Sequence, residues 1–231
     1  MRIASILVFF CFSIARAEAS EFRILVVVGY ADSILTQLSL NPSNWHQTRR
    51  LLPLARTVEN GIRNHLALNG LVETLPDEFE TQDRNLQITL KTSTTLCPGE
   101  TWEKTSETRP CSEQFTRSRD LVRFIDERAS DYDELIYIGH ARHGSGFGLG
   151  PFTPDFTWKP RFYSSREIGR LKKVFMASCD AERYYGSTFR RFFQFEGLKG
   201  TVDWESQMLP AVLQELTLQL STRTGASISS N

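Results

Sequence analysis

A histidine and a cysteine each follow a short apolar segment, and together these residue types support nucleophilic chemistry. "LIYIGHARHG" (Leu135–Gly144) places His140 just after an apolar block, and "VFMASCDA" (Val174–Ala181) places Cys179 in the same way. An imidazole takes the proton of a nearby thiol, and the thiolate attacks an electrophilic carbon such as a carbonyl. The pair therefore indicates thiol-based acyl chemistry, provided that the two segment ends meet.

The four cysteines of the chain lie in different surroundings. Cys11 belongs to an apolar N-terminal stretch, whereas Cys97 and Cys111 flank the polar segment "PGETWEKTSETRP". In an oxidising compartment, such a segment is typical of a loop that a disulfide closes. We therefore predict a Cys97–Cys111 disulfide and a free thiol at Cys179, which is either a nucleophile or an inert thiol of the core.

The N-terminal stretch has the organisation of a secretory signal. Arg2 precedes "IASILVFFCFSIA", which is too short to span a bilayer well, and "ARA" (Ala15–Ala17) offers the small residues that signal peptidase reads. We predict a signal peptide over residues 1–17, export to the periplasm or the medium, and no membrane attachment after cleavage. An N-terminal membrane anchor is the alternative.

The positions of the other apolar residues predict alternating strands and helices. "FRILVVVGY" (Phe22–Tyr30) is continuously apolar, as in a strand that is buried on both faces of a parallel sheet. Further strands are predicted in "NLQITLKTS", "ELIYIGH", "KKVFMAS" and "KGTVDW". Helices are predicted in "TRRLLPLARTVENGIRNHLALNG" with Pro53 in its first turn, in "CSEQFTRSRDLVRFIDERASDYD" with Ser112 as N-cap, and in "SSREIGRLK", "STFRRFFQFEG" and "QMLPAVLQELTLQLS".

This alternation predicts an α/β fold with a doubly wound, mostly parallel sheet and helices on both faces. The predicted domain covers residues 20–222, residues 223–231 form a flexible tail, and the Gly- and Pro-rich "SGFGLGPFTPDFTWKP" is irregular. In open parallel sheets, ligands bind beyond the carboxyl ends of the strands. Because a right-handed crossover places such strands side by side or one apart, we expect His140 and Cys179 to face each other there.

Composition and motifs argue against several other functions. Basic and acidic residues are balanced at 27 each, so no basic field indicates a nucleic-acid partner, and none of the usual zinc spacings is present. We predict no metal and no cofactor. "RHG" (Arg142–Gly144) also begins the phosphate site of histidine phosphatases, but those enzymes need a second histidine much later, and none follows His143.

The two segments resemble those of the caspase-like cysteine peptidases, which include caspases, legumains, gingipains, clostripain and CHAT-domain proteins. In this family an apolar strand ends in His-Gly, and a later apolar strand ends in Ala-Cys or Ser-Cys. "FYSSREIGRLKKVFMASC" and "LKGTVDWES" further resemble CHAT segments. The resemblance covers about residues 133–220, and the first third of the chain matches only in its strand–helix pattern.

The resemblance implies a caspase-like α/β/α sandwich and an exported cysteine endopeptidase that forms a thioester with its peptide or protein substrate. Cys179 would be the nucleophile, His140 the acid and base, and the N–H of Ala141, which replaces the usual glycine, part of the oxyanion hole. His140 with Gly144 fits the family frame, whereas His143, which begins a literal "HGSG", is the second candidate.

The resemblance also suggests a specificity, because family members with acidic pockets cleave after Arg or Lys. Three acidic residues lie near the expected pocket, although each is equally well explained as a solvated surface acid: Asp180, Asp203 and Glu205. Two other functions stay open. One is an inactive caspase-like binding module in the envelope, and the other is a different thiol hydrolase or transferase.

Overall fold

The computed structural model describes residues 21–32, 49–104, 108–151, 157–158 and 169–224. The predicted signal peptide, the first five residues of the predicted helix "SSREIGRLK" and residues 225–231 lie outside the described residues. No helix within these ranges is long and apolar enough to cross a membrane.

A seven-stranded sheet of mostly parallel strands organises the fold, in the order β2-β3-β4-β1-β5-β8-β9. Strands β4, β1, β5, β8 and β9 are parallel to one another, whereas β2 and β3 form an antiparallel hairpin at one edge, and β3 is antiparallel to β4. The bounds are β1 Phe22–Val28, β2 Val72–Leu75, β3 Glu78–Glu80, β4 Leu86–Thr92, β5 Glu134–Ile138, β8 Lys173–Ala177 and β9 Gln194–Gly197. The predicted α/β class with a mostly parallel sheet is confirmed.

Four α-helices accompany the sheet in the described ranges: α1 Leu52–Leu68, α2 Ser112–Arg128, α3 Ala181–Phe189 and α4 Leu209–Thr224. A π-helical turn over Trp204–Met208 leads into α4. A proline occupies the first turn of α1, as predicted. The predicted N-cap of α2 is wrong by one residue. Cys111, which the disulfide anchors in an extended conformation, takes that position, and the Ser112 hydroxyl bonds to Glu113 instead.

The apolar core divides between the two faces of the sheet because successive side chains of a strand point to opposite faces. One face of β1 packs with α1 and α4, whereas its other face packs with α2 and α3. Five consecutive residues of β1 are therefore fully buried, Ile24–Val28. This double burial explains why the strand is continuously apolar in the sequence.

Three predictions about local structure are wrong. "SGFGLGPFTPDFTWKP" is not wholly irregular, since β6 Phe147–Gly148 and β7 Thr157–Trp158 pair as a short antiparallel ribbon. The predicted helix "STFRRFFQFEG" is instead the end of α3 followed by β9, where Phe195 is buried and Gln194 and Glu196 are exposed, the alternation of an edge strand. "KGTVDW" is not a strand, because Gly200 is left-handed and Asp203 starts the π-helical turn.

Cys97 and Cys111 form the predicted disulfide, with Cα atoms 6.0 Å apart, and Cys179 is free. Disulfides persist in oxidising compartments and are rare in the cytosol. The disulfide therefore fits the predicted export of the chain.

Candidate functional site

The strands that carry His140 and Cys179 are neighbours in the sheet. β5 and β8 are parallel, and Ile138 pairs with Ala177 at their carboxyl ends. Gly139 extends this pairing, because its N–H donates to the Ala177 carbonyl at 3.1 Å. His140 and Cys179 each come two residues after these last pairs, on strands roughly 4.8 Å apart. The structure therefore brings both residues to one edge of the sheet.

His140 is held between a buried carboxylate and an aromatic ring. Its Nε2 lies 2.5 Å from Oδ1 of Asp32, whose side chain is fully buried. The Trp204 ring meets the imidazole edge-on, with 5.5 Å between centroids. These two contacts hold the imidazole ring with its Nε2 directed at the Asp32 carboxylate.

Asp32 is a site residue that the sequence analysis missed. It follows β1, which is the other neighbour of β5, so carboxylate, imidazole and thiol lie on three successive strands. Arg142 Nη2 lies 3.5 Å from the other oxygen of Asp32 and offsets its buried charge. The sequence shows that Asp32 follows a buried strand, but it does not show that this strand pairs with β5.

Two buried tyrosines hold the loop that follows β5. The Tyr137 hydroxyl donates to the His140 carbonyl at 2.9 Å, and the Tyr185 hydroxyl donates to the Ala141 carbonyl. Burial raises the pKa of Tyr137 and of Tyr185 far above its ordinary value, so both hydroxyls remain donors. A Cβ on Gly139 would collide with the Tyr137 hydroxyl, which explains the glycine before His140.

An alanine adopts the backbone conformation at position 141 without strain, because the φ of Ala141 is −78°. Among the described residues, neither the N–H of Ala141 nor that of Cys179 donates a hydrogen bond. These two groups are thus available to an oxyanion. His143 and Gly144 belong to the 3-10 turn after Ala141, in which Gly144 is left-handed with φ 85° and donates to the Ala141 carbonyl.

The Cys179 thiol is half-buried and lies against the backbone of Val202. Its Sγ is 3.4 Å from the Val202 N–H nitrogen and 3.5 Å from the Val202 carbonyl oxygen. Asp180 holds the turn that presents this thiol. Its backbone is left-handed with φ 49°, its N–H donates to the Gly200 carbonyl at 2.8 Å, and its carboxylate accepts the Gly200 N–H at 3.0 Å.

Two of the three predicted pocket acids have hydrogen bonds that shape the backbone near Cys179. Asp203 caps the π-helical turn by accepting the N–H groups of Ser206 and Glu205, and the Ser206 bond is the main reason that the pKa of Asp203 is lowered. Asp180 binds Gly200, as described above, and Glu205 is exposed.

No group of three or more His, Cys, Asp or Glu residues in the described part of the chain is arranged to hold a metal ion. Comparison with the profiles of known protein families gives no match, and a search of curated proteins gives none either.

Proposed function

We propose that the chain is an exported cysteine endopeptidase of the caspase-like type. The observation that supports the proposal is that β5 and β8 end at the same level, so that His140 and Cys179 follow neighbouring strand ends and His140 contacts the buried Asp32. A thiol, an imidazole and an orienting carboxylate in this order are the parts of a nucleophilic acyl-transfer site.

The geometry supports the following reaction. The thiol proton of Cys179 passes to the imidazole of His140, and Sγ forms a bond with the carbon of a peptide carbonyl. The N–H groups of Ala141 and Cys179 hold the oxyanion while the C–N bond breaks, and His140 returns the proton to the leaving amine. Water, deprotonated by His140, then attacks the thioester, which gives a carboxylate product and restores the thiol.

The substrate class follows from the charge around the thiol. Asp180 is next to Cys179 in the chain, and Asp203 and Glu205 closely follow Val202, which contacts the thiol. Acidic groups attract basic peptides by long-range electrostatics. We therefore include in the proposal a preference for Arg or Lys before the cleaved bond. An inactive binding module is the second candidate, favoured by the two contacts that hold the thiol against Val202.

A peptide library with the exported, oxidised chain tests this proposal. We expect cleavage by the wild type, a loss of several orders of magnitude in kcat for Cys179→Ala and His140→Ala, and a small effect for His143→Ala. Equal cleavage by Cys179→Ala would contradict the mechanism. If His143→Ala is inactive while His140→Ala is active, the base is His143 and not His140. If no peptide is cleaved under any activating condition, the inactive binding module becomes the favoured function.

A further inference from the structure

Arg50 is a fully buried cation that the disulfide loop holds in place. Its guanidinium donates to the Thr95 carbonyl, to Cys97 Sγ at 2.8 Å and to the Glu100 carboxylate. All three acceptors belong to the segment around Cys97, the first cysteine of the disulfide. Because a buried guanidinium is stable only while its charge is paired, the position of Arg50 depends on this segment.

Glu100 ties Arg50 to the disulfide itself. Its carboxylate also accepts the N–H of Cys97 at 2.7 Å. Burial tends to raise the pKa of Glu100, but the Cys97 N–H and the Arg50 guanidinium outweigh this effect and lower it overall. The ionised carboxylate therefore joins the cation to the backbone of a disulfide cysteine.

The backbone of Arg50 in turn supports the segment that carries Asp32. Asp32 and Arg50 form an antiparallel bridge, in which the Leu51 N–H donates to the Ala31 carbonyl at 3.0 Å. Arg50 also bridges to Thr108, three residues before Cys111, with N–O distances of 2.6 and 3.2 Å. Both ends of the disulfide loop thus reach Arg50, one through its side chain and one through its backbone.

From these contacts we infer that the Cys97–Cys111 disulfide regulates the reactivity of Cys179, with Arg50 as the positioning residue that transmits its state to Asp32 and His140. This inference rests on the proposed function of the Cys179 site. With the disulfide closed, Arg50 holds the Asp32 segment and the carboxylate orients His140. With the disulfide open, this support is lost and the site reacts slowly.

A dithiol is the reductant that opens the Cys97–Cys111 disulfide. A thiolate of the dithiol attacks one sulfur of the Cys97–Cys111 bond, and its second thiol then closes a cyclic disulfide. Two electrons pass to the protein, the S–S bond breaks, and two protons complete the new thiols. Both cysteines are half-buried, so a small reductant reaches them.

The rate of Cys179 alkylation by iodoacetamide, mapped by mass spectrometry over a range of pH, tests this regulation without a substrate. We expect Cys97→Ser/Cys111→Ser to lower the rate roughly 10- to 100-fold and to change the shape of the pH profile. Glu100→Gln and Arg50→Gln should show the same change with the disulfide intact, and Arg50→Lys should recover part of the rate. Arg170→Gln is the matched control, because it breaks the ion pair with Asp133 at the opposite ends of the strands.

The outcomes of the alkylation experiment separate the regulation by the disulfide from the proposed function of Cys179. A folded Cys97→Ser/Cys111→Ser variant with the wild-type rate and profile overturns the regulation. If that variant fails to fold, Glu100→Gln decides, and a wild-type profile there overturns the role of Arg50. If Cys179 of the wild type reacts no faster than in the urea-unfolded chain, the proposed function fails and this inference fails with it.

Discussion

At the scale of single residues, the site is a line of three groups across β1, β5 and β8. Asp32 contacts His140 directly, and Arg142 offsets the charge of the carboxylate. A buried carboxylate at this position holds an imidazole in one orientation. We therefore expect Asp32 to position His140, although it is distant from Cys179 in the sequence.

Asp32→Asn tests this role because it keeps the shape of the side chain and removes its charge. We expect kcat on the best peptide to fall by about 10²- to 10⁴-fold while KM changes little, because the imidazole loses its fixed orientation. Asp133→Asn is the matched control, since Asp133 is also buried but lies before β5, at the far edge of the sheet. A kcat that survives Asp32→Asn would show that the carboxylate is only structural.

The location of His140 and Cys179 after strand ends could be predicted from the sequence, because each residue follows an apolar block. Asp32 was not predictable in the same way. It lies four residues after β1, and only the pairing of β1 with β5 shows which acidic residue reaches the imidazole. Long-range pairing of this kind leaves no local pattern in the chain.

At the scale of elements, the turn from β8 into α3 presents the thiol. Asp180 has a left-handed backbone in this turn, a conformation that asparagine and aspartate tolerate better than alanine. Its carboxylate also accepts the Gly200 N–H, so the turn is tied to the segment that follows β9. Both features are local, yet both determine where Cys179 lies.

Substitutions of Asp180 separate the effect of its left-handed backbone from the effect of its bond to Gly200. We expect Asp180→Ala to lower the free energy of unfolding by about 1–2 kcal/mol or more, since it adds a left-handed alanine and loses the bond to Gly200. Asp180→Gly should cost less because it relieves the backbone, and Asp180→Asn should stay close to the wild type. Urea denaturation measures the free energy of unfolding of each variant and therefore gives this order. If Asp180→Ala is as stable as Asp180→Asn, this explanation of the turn is wrong.

The strands and helices with strong periodicity were predicted from sequence, and those without it were not. β1 and α1 have clear apolar patterns, whereas all four residues of β2 are exposed and carry no alternation. The β6–β7 ribbon joins segments that are short and rich in glycine and proline, so tertiary packing rather than propensity decides their pairing.

At the scale of the whole molecule, a buried charged cluster lies at the amino ends of β5 and β8, opposite the candidate site. Lys173 Nζ is 2.8 Å from Glu215 and 3.8 Å from Glu134, and also 3.2 Å from Glu196 on β9. Burial, and next the charge of Glu215, raise the pKa of Glu134 to about 9. Glu134 is therefore protonated in the folded protein at neutral pH.

This cluster predicts a stability that falls as pH rises. The unfolded chain loses the Glu134 proton above its ordinary pKa of 4.5, whereas the folded chain keeps it to about 9. The free energy of unfolding should therefore decrease between these values, with a slope of up to about 1.4 kcal/mol per pH unit from this group. Glu134→Gln removes the titrating group, so its stability relative to the wild type should increase from pH 5 to pH 9. Melting curves of both proteins at each pH measure this difference in stability. If the difference stays constant from pH 5 to pH 9, the prediction is wrong.

Site-resolved labelling by an electrophilic peptide ketone tests the central claim most directly, because it reports the reactivity of one sulfur in the folded protein. The account predicts modification of Cys179 in the wild type, much slower modification after His140→Ala, and loss of this difference when both chains are unfolded in urea. If Cys179 of the folded wild type reacts no faster than in urea, or equally fast without His140, the assignment of a His140–Cys179 catalytic pair is wrong.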